Sequence, residues 1–261
     1  MNYGLYLSAS GVLTNLYRQD VYANNLANVK TVGFKHDLAM VRQRDSEAIE
    51  EQFGPMLRND LLDKLGGGVW AGPQRVAFGA SSLEQTGSPM DLALQSEKTF
   101  FNIGITDPKS GQTQVRLTRD GRFARDDDGY MITITGGHRV LDEEDKPIQL
   151  PTDAKIHVTA TGQIFAGDDE ITRLGVSTVT DMDGLIKQGQ NLYAWQGDKD
   201  PRKSIEDARI RQGYVETSSV DPIKALMQLI SATKAVTGNG NLIRYHDSLM
   251  DKAVNTLGRV A

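Results

Sequence analysis

Cysteine is absent from this 261-residue chain. That excludes disulfides, thiolate catalysis and cysteine-ligated zinc. A thiol-free chain suits a protein that crosses redox compartments, and suits many cytoplasmic proteins equally. Proline is scarce, at eight residues, and aromatics supply only 7% of the chain. Hydrophobic residues reach 39%, which is low for one large core. Mean hydropathy is −0.40, and no run of about 18 apolar residues occurs, so no transmembrane helix and no membrane insertion are expected. Lys and Arg never gather into a stripe. With a net charge of −5, the overall sign opposes non-specific phosphate binding, and no nucleic-acid partner is expected. The N-terminus has no basic region, and Ser8, Ser10, Thr14 and Asn15 interrupt its apolar positions. Export, if it occurs, is expected to use no cleaved leader.

Catalytic patterns are missing as well. His36, His138, His157 and His246 are scattered, with no metal-binding spacing. An EF-hand reading of Asp126–Gly129 puts its first ligand on Ala124, and that of Asp181–Gly184 puts it on Val179, so both read as turns. Gly66–Gly68 lacks the Lys-Ser/Thr of a phosphate loop, and Ser88 precedes Pro89 rather than sitting in a nucleophile elbow. No cofactor, metal or enzymatic activity is expected.

What is present is helix at the two ends and strand between them. Leu5, Ala9, Val12, Leu16, Ala23 and Leu26, with Gln19 between, step alternately by four and three, the spacing of a coiled-coil seam. A helix of about 26 residues spans about 39 Å. Asn28 suits its end, and Gly33 lets the chain turn sharply. Near the other end, Asp221 reads as an N-cap with Pro222 at the first helical position. A second series follows through Leu226, Leu229, Val236, Ile243, Met250, Val254 and Leu257, broken at Thr233, Gly240 and Asp247. Gly238-Asn239-Gly240 sits in its middle. Each such glycine costs roughly 1 kcal/mol against alanine, so either the helix kinks there or a neighbour approaches very closely. Two helices at opposite ends read as a paired terminal stalk or as ordinary core helices.

The middle, 75–210, carries strand–turn units at short intervals. They include Arg75–Phe78, Met90–Leu94, Phe100–Ile103, Gln114–Thr118, Gly121–Ala124, Tyr130–Ile134, Arg139–Leu141, Ile148–Leu150, Ile156–Thr159, Gln163–Phe165, Leu174–Thr180 and Asn191–Ala194. Asp128-Gly129 between two alternating runs predicts a tight hairpin. The predicted class is α+β: an antiparallel, all-β central domain with N- and C-terminal helices pairing as a coiled-coil-like stalk. The predicted divisions are 1–35 (N-terminal helix and the segment after it), 36–74 (an extended linker, with a short helical turn at Leu61–Leu65), 75–210 and 211–261.

Several of these segments also resemble known motifs. Ala23-Asn24-Asn25-Leu26-Ala27-Asn28-Val29-Lys30-Thr31-Val32-Gly33-Phe34-Lys35 is similar to the N-terminal signature of the flagellar axial proteins of rod and hook. Asn24, Asn25, Leu26, Asn28, Gly33 and Phe34 are its core. Gly213–Asp221 resembles the family's C-terminal entry motif, and Leu257-Gly258 its closing residues. Ser88–Leu94 with Phe100-Phe101, then Leu117–Phe123 with Asp128-Gly129-Tyr130, resemble its β-domain motifs. The motifs occur in the family's order and span the chain. Ser219 stands where Asn is usual, Gln95–Thr99 lacks the usual glycines, and Ala235–Gly240 replaces an aromatic-acidic pair and Asn.

The resemblance implies a structural subunit that self-assembles helically into the flagellar drive shaft, in the basal-body rod that spans the periplasm. It implies export through the flagellar type III apparatus, and terminal helices that pair along an inner tube. Implied partners are copies of itself, other rod subunits, the hook protein, the surrounding envelope rings and the export apparatus. The chain has no room for the large further β domain of hook proteins, which favours a middle-sized rod protein, distal or proximal. The long stretch from Lys35 to Ser88 leans towards distal. Competing expectations are a hook or hook-associated subunit and, from another class, a secreted β-rich enzyme or carbohydrate-binding module.

Overall fold

The computed structural model describes residues 3–45, 67–79, 81–106, 113–151, 154–196, 200–205 and 207–257. The short helical turn expected at Leu61–Leu65 lies outside them. The chain divides into two compact units, one of Met1–Ala27, Asp37–Arg75 and Asp221–Ala261, the other of Asn28–His36 and Val76–Val220.

The first unit is built on two helices, α1 (Tyr3–Ala27) and α2 (Pro222–Lys252), the latter ending in a π-helical turn at Ala253–Leu257. Asp221 caps α2: its carboxylate accepts from the backbone N–H groups of Ile223 and Lys224 at 2.9 and 3.1 Å. Pro222 follows at the first helical position, where no N–H is needed. The helix runs unbroken through Gly238-Asn239-Gly240, and a Cβ on either glycine would meet nothing within 4 Å.

The close approach falls on the other helix. α1 and α2 pack along each other. A Cβ on Gly4 would lie 2.7 Å from the His246 ring, and one on Gly11 would lie 2.9 Å from the Asn239 amide. Since 4 meets 246 and 11 meets 239, the helices run antiparallel. The buried and half-buried positions of α2 follow Ala225, Leu229, Ala232, Val236, Asn239, Ile243 and His246, with Gln228, Ala235 and Gly240 beside them. This series shares Leu229, Val236 and Ile243 with the one expected from apolar spacing, but adds 225, 232, 239 and 246, while 226, 233 and 247 are exposed. The glycines of α1 leave room for the His246 and Asn239 side chains, and the fully buried positions of α2 are Ala225 and Ala232. Leu229, Val236 and Ile243 are half-buried, whereas Ile223, Leu226, Met227, Ile230, Leu242 and Leu249 remain exposed.

Strands β1 (Asp37–Leu38), β2 (Val41–Gln43) and β3 (Val69–Ala71) complete this unit, and β4 (Arg75–Val76) leaves it. β2 and β3 pair antiparallel, Val41 opposite Ala71. Thr14 of α1 donates to the Val69 carbonyl at 3.2 Å, and the Arg44 guanidinium lies over the Tyr6 and Trp70 rings.

The second unit is antiparallel β. Its strands are β5 (Leu83–Gln85), β6 (Leu92–Leu94), β7 (Thr99–Thr106), β8 (Thr113–Thr118), β9 (Phe123–Arg125), β10 (Met131–Thr133) and β11 (Arg139–Val140). They continue as β12 (Ile156–Val158), β13 (Gln163–Ala166), β14 (Asp169–Arg173), β15 (Val176–Val179), β16 (Leu185–Lys187), β17 (Leu192–Trp195), β18 (Arg202–Ser204), β19 (Ile210–Gln212) and β20 (Tyr214–Glu216). The main sheet runs β16-β17-β8-β7-β11-β10-β9, with β15 also on β7 and β18 on β15. β12-β13-β14 form a second sheet, while β19 pairs with β6 and β20 with β5.

The Asp128-Gly129 hairpin joins β9 to β10 in register Met131 to Arg125, with Gly129 at φ +85°. Ile148–Leu150, expected as a strand, instead contributes two buried side chains beside isolated bridges at Pro147 and Gln149. The largest core cluster joins Leu92, Phe101, Ile103, Phe123, Met131, Val140, Ile164 and Ile210. A second surrounds Phe100 and Tyr193, with Phe78 5.4 Å from each ring.

Candidate functional site: the junction of the two terminal segments

The β unit receives both chain segments that border the helices, residues 28–36 and those up to Val220. Gly33 makes the first of these possible. Its φ is +69°, and a Cβ there would sit 2.6 Å from the Arg119 carbonyl, so only glycine fits. Phe34 is then buried, with the Lys187 ammonium 3.7 Å above its ring. Lys187 also donates to the Lys35 carbonyl at 2.5 Å, and the Asn191 side-chain amide donates to the Val32 carbonyl at 2.9 Å. Asn191 holds φ +59°, and Thr118 donates to its carbonyl at 2.8 Å.

The second segment lies alongside. The Gly33 N–H donates to the Glu216 carbonyl at 2.7 Å, and the Ser219 N–H to the Phe34 carbonyl at 2.9 Å. The His36 N–H donates to Ser219 Oγ at 2.9 Å, and the His36 ring meets the same oxygen at 3.0 Å. Ser219, where the family pattern leads one to expect Asn, thus fills a polar role with a shorter side chain.

Three ions close the junction. Lys35 Nζ lies 2.6 Å from Glu216 Oε1, and Arg119 Nε lies 2.7 Å from Glu216 Oε2. Their side chains are 0%, 2% and 3% exposed for Lys35, Arg119 and Glu216. Remaining donors are satisfied: Lys35 reaches the Gly79 carbonyl and Ser81 Oγ, and Arg119 reaches the Ser96 and Thr99 carbonyls, both at 2.6 Å. Two cations share one carboxylate. Burial pushes the Glu216 carboxyl up, but the hydrogen bond and charge of Arg119, then of Lys35, outweigh it and hold it below the usual glutamate range. Burial pulls Lys35 below its ordinary value, against Glu216, and the neighbouring Arg119 charge adds to that pull. Both directions follow from one fact: the anion is over-compensated and the weaker cation under-compensated. Removing one member of such a buried set costs ~3–5 kcal/mol.

Lys35, Arg119 and Glu216 come from three separate motifs: the N-terminal signature, the Leu117–Phe123 run and the Gly213–Asp221 run. Comparison with known proteins places these motifs in one family. The description "Flagella basal body rod protein" matches residues 5–35, and "Flagellar basal body rod FlgEFG protein C-terminal" matches residues 211–256. A flagellar basal-body rod protein FlgF of Rhizobium meliloti is 31% identical over 99% of both chains. The chain belongs to the flagellar basal-body rod protein family. FlgF of Caulobacter vibrioides is 29% identical over the full length of both chains, and FlgG of Bacillus subtilis is 27% identical over 96% of this chain and 97% of its own.

The signature residues of this rod-family chain have distinct places. Within the helical unit, Asn25 is buried and exchanges two bonds with Asp37: its amide donates to the Asp37 carbonyl and its oxygen accepts the Asp37 N–H, each at 2.8 Å. Asn24 donates to the Asp37 carboxylate at 3.1 Å. Asn28 follows the end of α1 and accepts from Thr31. Of the seam residues read from spacing, Leu5, Ala9, Val12, Leu26, Leu229, Val236 and Ile243 are half-buried. Leu16, Ala23, Leu226, Met250 and Val254 are exposed. Leu257 lies in the π-helical turn, and its side chain falls outside the described residues. Among the described residues, no helix is long and apolar enough to cross a membrane.

Lys35, Arg119, Glu216, Asp37, Lys187 and Asn191 are the functional positions that sequence reasoning passed over. Each of the first three lies inside a recognisable motif, but each motif carries further charges (Lys30, Asp120, Arg122 and Asp221), so charge alone does not single them out. Lys187 and Asn191 sit in a short hairpin with no such mark.

Proposed function

We propose that this chain is a structural subunit of the bacterial flagellar basal-body rod, of distal or proximal type. Copies assemble helically into the periplasm-spanning shaft that passes torque from motor to hook. The chain is exported through the flagellar type III apparatus. Its neighbours are other rod subunits, the hook protein and the surrounding envelope rings. The terminal helices form a coiled-coil-like stalk, with the seam positions from Leu5 to Leu257 at or beside contacts between copies.

The observation that carries this reading, beyond family membership, is the uncovered face of α2. Ile223, Leu226, Met227, Ile230, Leu242, Tyr245 and Leu249 are between 47% and 72% exposed, while the buried residues of that helix are two alanines. A 31-residue helix that buries so little of its apolar surface needs a further partner, and copies of the same chain supply one.

Two aspartate substitutions test the reading. Leu226→Asp lies on the exposed face and is expected to leave the free chain's helicity unchanged while abolishing incorporation into rods. A carboxylate buried without a partner is costly enough to block assembly. Leu229→Asp, in the intrachain contact, is expected to lose both. Normal motility and incorporation of Leu226→Asp would defeat the proposal.

A further inference from the structure

The junction described above has a property that goes beyond a role in the rod. We propose that the two terminal segments, residues 28–36 and 212–220, dock on and release from the β unit as one cooperative element, coupled through Glu216. The coupling belongs to the free chain and holds whether or not the helices assemble between copies.

The argument starts from the ions. Lys35 and Arg119 bind different oxygens of the same carboxylate. If the segment carrying Glu216 leaves, two cations stay in one pocket with no carboxylate bonded to them, opposed by carbonyl and hydroxyl oxygens and by the weaker influence of the Glu97 charge. That arrangement is unstable. Arg119 lies in the turn after β8 and stays with the sheet, so Lys35 is the ion that leaves, and it takes its own segment along.

The reverse departure is coupled as well. If the Lys35 segment leaves, Glu216 keeps Arg119. The Glu216 carbonyl then loses the Gly33 N–H, the Ser219 N–H loses the Phe34 carbonyl, and Ser219 Oγ loses both contacts to His36. The site of Lys35 also opens to water. Each segment therefore supplies the partners the other needs, and such coupling is reciprocal by thermodynamic necessity.

Amide hydrogen exchange on the full free chain reads this directly. The reporters are the Ala77 N–H, which donates to the His36 carbonyl, and the Thr217 N–H, which donates to the Ser82 carbonyl, so that each reads the docking of one segment on the β unit by itself. The Asn102 N–H, bonded to the Gly175 carbonyl inside the sheet, is the reference. Ser219→Ala and Gly33→Ala place a lesion in one segment at a time, and Glu216→Gln strikes the shared ion. Each lesion is expected to speed exchange at both reporters by a common factor, tenfold or more for Glu216→Gln, with Asn102 unchanged. Lys35→Met added to Glu216→Gln removes the unopposed cation and is expected to slow exchange at Thr217 relative to Glu216→Gln alone. Acceleration confined to the reporter for the segment that carries the lesion would overturn the proposal. So would simple additivity of Lys35→Met and Glu216→Gln. If Glu216→Gln fails to fold, the pair Ser219→Ala and Gly33→Ala still decides the matter.

Discussion

Glu216 sets the behaviour of its neighbours with pH. Its carboxyl is held low in the folded chain. It therefore contributes stability that is fully present above the ordinary glutamate value of about 4.3 and is lost as pH falls through the lower folded value. Lys35 is also held low, which for a base has the opposite consequence. Below its folded value, burying the ammonium is a constant cost. That cost is relieved as pH rises through the folded value towards the ordinary lysine value of about 10.4. Urea midpoints measured from acid to alkaline pH are expected to lose part of their acid-side fall in Glu216→Gln and part of their alkaline-side gain in Lys35→Met. Identical profiles for wild type and Glu216→Gln would contradict the assignment. In the sequence, Gly33 was legible as a sharp turn, since only its conformation was needed. Glu216 was not, because its importance arises from two ions distant along the chain.

At the scale of elements, both helices and their limits follow from local chemistry. The Asp221 cap, Pro222 and the Asn28 stop act within a few residues, so spacing reveals them. Which stripe of α2 meets α1 depends on the glycines of the opposite helix, and apolar periodicity carries no record of that. The glycines within α2 make a separate point. Gly240 is helical, and a side chain there would meet nothing within 4 Å. Gly240→Ala is expected to stabilise the helix of the free chain by about 1 kcal/mol, seen as raised helicity by circular dichroism. If a neighbouring copy packs on that spot, the same variant assembles less well while its free form is more stable. A helix weakened by Gly240→Ala would mean that the backbone there is not regular.

Most β strands were legible because alternating runs and Gly turns mark them one by one. β5, β14, β16, β18, β19 and β20 were not, each having five residues or fewer and at least one charge. Sheet order was out of reach of spacing, since β15 reaches β7 and β17 reaches β8 across long stretches of chain. At the scale of the whole molecule, the two units differ in what they bury. The β unit encloses two apolar clusters. The helical unit fully buries only two alanines of α2 and leaves many of that helix's large apolar side chains exposed, whereas most helical stability in proteins comes from packing of an apolar face. Limited proteolysis of the free chain is therefore expected to cut first within about the first 30 and last 45 residues, leaving the β unit intact. Cleavage beginning inside β7 or β8 would reverse that order of stability.

The paired bonds between residues 33–36 and 216–219 also have a mechanical meaning. Tension carried along α1 enters the β unit through the segment after Asn28, and tension along α2 enters through the segment before Asp221. Those two entry points are stitched to each other as well as to the sheet. A pull on one helix is thus divided between two anchorages, and the seam between them is where such a subunit would first yield.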